Sequence, residues 1–234
     1  PSGVGWTKRD FYFVGVTDPA GVTVDAAGDV YGTAQGAGLG NYGGGYIFEL
    51  STPGVWNFDL LHGFAKNTVG KFAQGYNPDS TPVFDKAGNL YGTTQYNGVS
   101  INGGNVIGGT AFKLTPGKKG WKFQLLHTFN GKKDGAQPIG PLVVDSSRNV
   151  YGTTYAGGTG ACQGLKSYCG TIFELSPKPT GTGYTETVLW NFNNTDGQHP
   201  TAGVILDKAG NLYGTTEWGG TGTWANGVVF EVIP

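Results

Sequence analysis

Short runs of alternating or continuous apolar residues recur along the chain at a nearly fixed interval, separated by polar, glycine-rich turns. VTVD, PVFD, LVVD and VILD end at Asp25, Asp85, Asp145 and Asp207, so the period is 60, 60 and 62 residues. Each Asp opens a second segment: DAAGDVYGTAQ, DKAGNLYGTTQ, DSSRNVYGTTY and DKAGNLYGTTE. A third follows as YIFEL, TAFKL, TIFEL and VVFEV, ending at Leu50, Leu114, Leu175 and Val232. A fourth reads WNFDLLHGF from Trp56, WKFQLLHTF from Trp121 and, more loosely, YTETVLWNF from Tyr184. Each repeat therefore predicts four strands.

The link between the first two strands, D-x-x-G-N, is a tight turn in which Asp and Asn tolerate left-handed geometry and Gly supplies positive φ. The link between the last two is a Pro-Gly turn. Four antiparallel strands at a fixed period predict an all-β fold, a four-bladed β-propeller, with residues 1–234 forming one domain of four repeats. A β-helix would have shorter rungs and no repeated hairpin turns. The last repeat ends at its third strand, while GWTKRDFYFV near the start resembles a fourth strand, offset by one residue. Residues 6–14 are thus expected to complete the last blade and close the ring, which removes both open edges.

Composition narrows the class. Gly supplies 44 of 234 residues, aromatics 13% and charged residues only 13%. Disorder needs the opposite balance, and collagen needs a strict glycine period. A net charge of −1 offers no basic field for nucleic acid or a membrane surface. No apolar run is long enough to span a bilayer as a helix. The chain opens at Pro1 without methionine, as a trimmed secreted product would. Cys162 and Cys169, in GTGACQGLKSYCG, are expected to form a local disulfide, which favours an oxidising, extracellular compartment.

Strand parity sorts the loops. Turns between first and second strands, and between third and fourth, lie on one face and are short. The loops between second and third strands, and those joining repeats, lie on the other face and vary, as binding loops do. The variable face carries Tyr42, Gln95, Tyr96, Tyr155, Tyr168, Trp218 and Trp224. Flat aromatic faces beside Asn and Gln suit sugar rings, which stack through C–H faces and hydrogen-bond through hydroxyls. The repeat-joining loops share D-G-x-x-P at Asp134 and Asp196, with Gln74 in the equivalent place.

The combination of LYGTT, G-T-[IV]-F-E-L and D-G-x-x-P resembles the GloVer-type tandem repeat of secreted bacterial surface proteins. The resemblance spans essentially the whole chain, although the first repeat, with DPAGVTVD, lacks D-G-x-x-P. It implies a secreted, propeller-like repeat protein and leaves activity open.

Catalytic signatures are scarce, with no nucleophile elbow, HExxH or P-loop. Glu217, beside Trp218, breaks the repeat where Gln35, Gln95 and Tyr155 stand, and is the leading acid–base candidate. Asp134 and Asp196 are candidates for a glycosidase-like carboxylate pair, and His199 for a functional imidazole. His62 and His127 share a strand position and read as structural. Asp25, Asp85, Asp145 and Asp207 read as turn caps, with a cation ring in the central channel as the alternative. The regular Tyr31, Tyr91, Tyr151 and Tyr213 read as core. No cofactor is expected. The sequence favours a secreted monomer that binds a glycan or other extracellular polymer, without nucleic acid or membrane insertion. The other readings are a secreted glycoside hydrolase or polysaccharide lyase, and a structural module of the cell surface.

Overall fold

The structure, a computed structural model, describes residues 8, 18–36, 43–51, 56–65, 74–97, 100–101, 105–106, 108–162, 169–221 and 226–234. Every regular element among them is a strand. Blade 1 is a four-stranded meander of β1 (Pro19–Val24), β2 (Val30–Ala34), β3 (Tyr46–Ser51) and β4 (Asn57–Gly63). In blade 2, β5 (Val83–Phe84) and β6 (Leu90–Thr94) precede a two-stranded ribbon of β7 (Ser100–Ile101) and β8 (Asn105–Val106). The blade then continues with β9 (Gly109–Thr115) and β10 (Lys122–Phe129). Blade 3 contains β11 (Val143–Val144), β12 (Val150–Thr154), β13 (Thr171–Pro177) and β14 (Tyr184–Asn191). Blade 4 has three described strands, β15 (Ile205–Leu206), β16 (Leu212–Thr215) and β17 (Val229–Val232). Its expected closing strand, residues 6–14, lies outside the described residues except for Lys8.

Local chemistry explains the repeated motif. Asp85 Oδ1 accepts the N–H groups of Ala87 and Asn89, both at 2.9 Å, while Oδ2 accepts Asn89 Nδ2 at 2.7 Å and the Tyr91 hydroxyl at 3.1 Å. Asp25, Asp145 and Asp207 hold their turns and their tyrosines in the same way. The four aspartates are turn caps. Burial would raise the Asp85 carboxyl, but the bonds from Asn89, Ala87 and Tyr91 outweigh it and hold it below the usual carboxylate range. The glycine of the YGT sequence has a different reason. A Cβ at Gly92 would lie closer than 3.0 Å to the Phe112 ring, so the aromatic packs directly on bare backbone.

The third repeat departs from the turn rule. Arg148 holds φ 68° where Gly28, Gly88 and Gly210 hold 91°, 78° and 94°. A side chain in that region is strained, whereas glycine loses more entropy on folding. Arg148→Gly is therefore expected to stabilise the protein by about 0.5–1 kcal/mol, net of that entropy. Chemical denaturation measures it, and a neutral or negative change would refute the strain.

The core lies between blades. Tyr31, Ile47 and Phe64 of blade 1 meet Leu90, Phe112 and Leu114 of blade 2. Tyr91, Ala111 and Phe129 meet Leu142, Phe173 and Leu175 of blade 3, and Ile172 and Phe192 meet Val204 and Leu212 of blade 4. Each blade thus has a leading and a trailing apolar face. At the ends these faces are partly exposed: Val229, the counterpart of fully buried Ile47, Ala111 and Ile172, is 80% exposed. On blade 1, Val22 and Val24 are 54% and 57% exposed, although Leu142, the counterpart of Val22, is buried; Phe48 and Leu50 on the same face of blade 1 are buried. The described residues thus give four successive blades, the last with three strands. A cleft of about 530 Å³, walled by Trp190, Phe192 and Phe230, separates β14 from β17.

Candidate functional site at the junction of blades 3 and 4

The loops meet at one end of the blades, as strand parity requires. The second threonine of YGTT fixes each loop root: Thr94, Thr154 and Thr216 donate to the carbonyls of Tyr96, Ala156 and Trp218 at 2.9–3.0 Å. Beyond them, paired residues of the two variable loops extend blades 2, 3 and 4: Tyr76 with Tyr96, Ala136 with Ala156, and Gln198 with Trp218.

A shared position then stitches neighbouring blades. The N–H groups of Asn77, Gln137 and His199 donate to the carbonyls of Gly44, Gly108 and Cys169 in the preceding blade, at 2.6–2.8 Å. Their carbonyls accept from Gln95, Tyr155 and Glu217 in their own. These three residues hold φ between 53° and 56°, and Asp18, their counterpart in blade 1, holds 46°. Each precedes a proline. Left-handed geometry before proline is unfavourable, so the stitches on both sides must maintain it.

At the junction of blades 3 and 4 this position is His199, only 4% exposed. Its ring stacks on Tyr155, with centroids 4.4 Å apart and planes 27° from parallel. Nδ1 lies 2.9 Å from the Tyr155 carbonyl oxygen. A carbonyl only accepts, so this nitrogen carries the proton and Nε2 of a neutral ring is left as an acceptor. Nε2 is buried without a hydrogen-bond partner among the described residues, and so is Oε1 of adjacent Gln198. The Tyr155 hydroxyl is pushed up by burial and by the charge of Glu217. Glu217 is exposed, and Trp218 is 48% exposed. Cys162 and Cys169 are joined by a disulfide, so the carbonyl that receives the His199 N–H sits on a cross-linked loop.

The structure thus gathers four candidates, Tyr155, His199, Glu217 and Trp218, at one junction. Tyr96 lies at the tip of blade 2 with Tyr76, ring centroids 5.2 Å apart, and Gln95 is bonded into the stitch below it. Tyr42, Tyr168 and Trp224 lie outside the described residues. Asp134 and Asp196 do not form a free carboxylate pair, because each serves its own loop. Asp134 accepts the Asn130 N–H at 2.9 Å and lies 3.4 Å from His127 Nε2. Burial would raise its carboxyl, but the His127 ring and the Asn130 N–H hold it below the usual range. Asp196 accepts the Asn193 N–H at 2.8 Å and Trp190 Nε1 at 3.0 Å. His62 stacks on Phe123 at 4.1 Å, in keeping with a structural role. No group of three His, Cys, Asp or Glu side chains suited to a metal ion occurs among the described residues. Gln198 and Glu186 escape sequence reading, since only packing shows that each buries an unpaired oxygen.

The repeats that build this junction decide the family. Residues 97–234, more than half of the chain, match the model of the Gloeobacter/Verrucomicrobia repeat. The chain belongs to that family. No curated protein matches it in sequence. In structure this Gloeobacter/Verrucomicrobia repeat protein is similar to a gluconolactonase from Xanthomonas campestris, at 16% identity and a TM-score of 0.51, over 92% of this chain and 62% of that one. It is also similar to a Dyadobacter fermentans protein of unknown function, at 10% identity and a TM-score of 0.50, over 85% and 61%. The chain therefore spans about three fifths of these structures. At such identities the likeness concerns the all-β, propeller-like fold. The disulfide and the repeat family are consistent with an extracellular setting.

Proposed function

We propose that this repeat protein is a secreted, monomeric, cofactor-free module that binds carbohydrate at the junction of blades 3 and 4. The observation that carries the reading is the half-exposed Trp218 beside Glu217, whose N–H bonds the carbonyl of His199, itself stacked on Tyr155. An aromatic platform next to hydrogen-bonding groups is the surface a sugar ring needs. The propeller-like neighbours, a gluconolactonase among them, support a carbohydrate-related role by fold alone. Trp218→Ala is expected to weaken glycan-array binding about tenfold or more while leaving the melting curve unchanged, because the side chain adds little to the core. A folded variant that binds like the parent would refute the site. The exposed Glu217, whose charge reaches Tyr155, favours a hydrolase or lyase as the second reading. Glu217→Gln abolishes turnover of array hits in that case and spares binding in the first.

The finer architecture belongs to the same proposal: residues 6–14 complete blade 4 and the ring closes. Two features support it. Exposed Val229 on the leading face of blade 4 and exposed Val22 and Val24 on the trailing face of blade 1 have the apolar character that is paired at every other junction. In β4, β10 and β14 a bulge adds one residue. The spans Trp56–Phe64 and Trp121–Phe129 therefore exceed Trp6–Phe13 by one, as a bulge-free strand would require. Deleting residues 1–14 is then expected to lower the melting temperature sharply. An unchanged melting curve would rule the closure out.

A further inference from the structure

We infer that His199 Nε2 and Gln198 Oε1 form a hydroxyl-reading pocket, in which two buried acceptors take hydrogen bonds from O–H groups of the bound sugar. The inference rests on the carbohydrate reading and adds what the junction selects for. Its basis is a pair of acceptors on consecutive residues, each buried and without a partner among the described residues. A buried acceptor left unmade costs more than an ordinary hydrogen bond returns, so a site of this kind calls for a donor. The Nδ1 bond to the Tyr155 carbonyl fixes the ring orientation and leaves Nε2 with its lone pair. A ligand bearing only acceptors or apolar groups satisfies neither atom. A polyhydroxylated ring satisfies both while its C–H face rests on Trp218 or Tyr155. Discrimination of this kind is strong because the wrong ligand leaves the buried groups unpaired.

The repeat supplies a substitution that preserves the backbone. Asn77 occupies the equivalent position with φ 53°, against 56° for His199, and makes the same pair of stitches. His199→Asn retains a donor for the Tyr155 carbonyl and removes the reach of Nε2. The probes are methyl glycosides of glucose, xylose, mannose and galactose, each matched with its fully O-methylated form, which keeps the ring but has no O–H donor. The readouts are affinity and the ¹⁵N resonance of His199 Nε2 in the labelled full chain.

A free glycoside is expected to move the Nε2 resonance, and the O-methylated form is not. His199→Asn should weaken the free glycoside by roughly five- to tenfold, the effect of one neutral hydrogen bond, and leave any binding of the O-methylated form unchanged. Trp218→Ala should weaken both forms alike. If Trp218→Ala reduces binding while Nε2 is unmoved and His199→Asn binds as the parent does, the pocket is refuted and the carbohydrate reading stands. An internal water on Nε2 that no glycoside displaces has the same meaning. If no glycoside binds at millimolar concentration, both fall.

Discussion

Phe112→Ala is expected to lower the unfolding free energy by about 3–5 kcal/mol, the usual cost of deleting a fully buried phenyl ring. The ring is inaccessible to solvent, stacks on Phe123 at 5.7 Å and meets Phe64 at 5.5 Å across the junction of blades 1 and 2. It also covers the backbone of Gly92, so its loss opens a cavity that no neighbouring Cβ fills. Phe230 occupies the same repeat position in blade 4, but it is only partly buried and walls the open cleft. Its truncation should cost less than about 2 kcal/mol, since part of its surface already faces water. Urea unfolding of the two variants gives the comparison. Equal losses would mean that Phe230 is as fully packed as Phe112 in the folded protein.

Thr154→Val should be nearly as damaging, although it keeps the shape of the side chain. The Thr154 hydroxyl donates to the Ala156 carbonyl at 2.9 Å and accepts the Thr171 N–H at 3.1 Å, and it lies 2.9 Å from the Thr171 hydroxyl. All three residues are buried. Valine leaves those groups unpaired in a site with no room for exchange, at a cost of about 2–4 kcal/mol in sum. The damage is also directional. Thr154 immediately precedes Tyr155, so releasing the loop root should disturb the Tyr155–His199 stack and lower sugar affinity as well as stability. Thr153→Val is the control. Its hydroxyl bonds the Ala202 carbonyl at 2.8 Å, away from the loop root, so it should lose stability with the Tyr155 ring in place. Loss of stability with unaltered binding in Thr154→Val would separate the loop root from the site.

The period, the strand order and the turn caps are legible in the sequence because their chemistry is local. Asp85, Asn89 and Tyr91 lie within six residues of one another and bond among themselves, so the repeated letters are the interaction. The variable face is legible through strand parity for the same reason. The junction is only half legible. Glu217 and Trp218 stand out as breaks in the repeat, but the packing of Tyr155 on His199 joins residues 44 apart in different blades, and no spacing rule connects them. Asp134 and Asp196 show the converse. Carboxylates recurring on a loop-rich face suggest chemistry, yet the geometry gives one to Asn130 and His127 and the other to Asn193 and Trp190. Glu186 follows the same logic. Its counterpart in blade 2 is Phe123, and burial pushes its carboxyl up, a property that only the neighbouring blade creates.

The stitching position has a meaning for how such a protein diversifies. Asp18, Asn77, Gln137 and His199 are held by their backbone groups, with the following proline common to all four. An acid, two amides and an imidazole therefore occupy one architectural socket. Exchanging the side chain alters the chemistry at the loop-rich end while the backbone stitches between blades stay the same. Selection can thus explore ligand chemistry one socket at a time, and a designer can place four different groups on one scaffold by changing four residues.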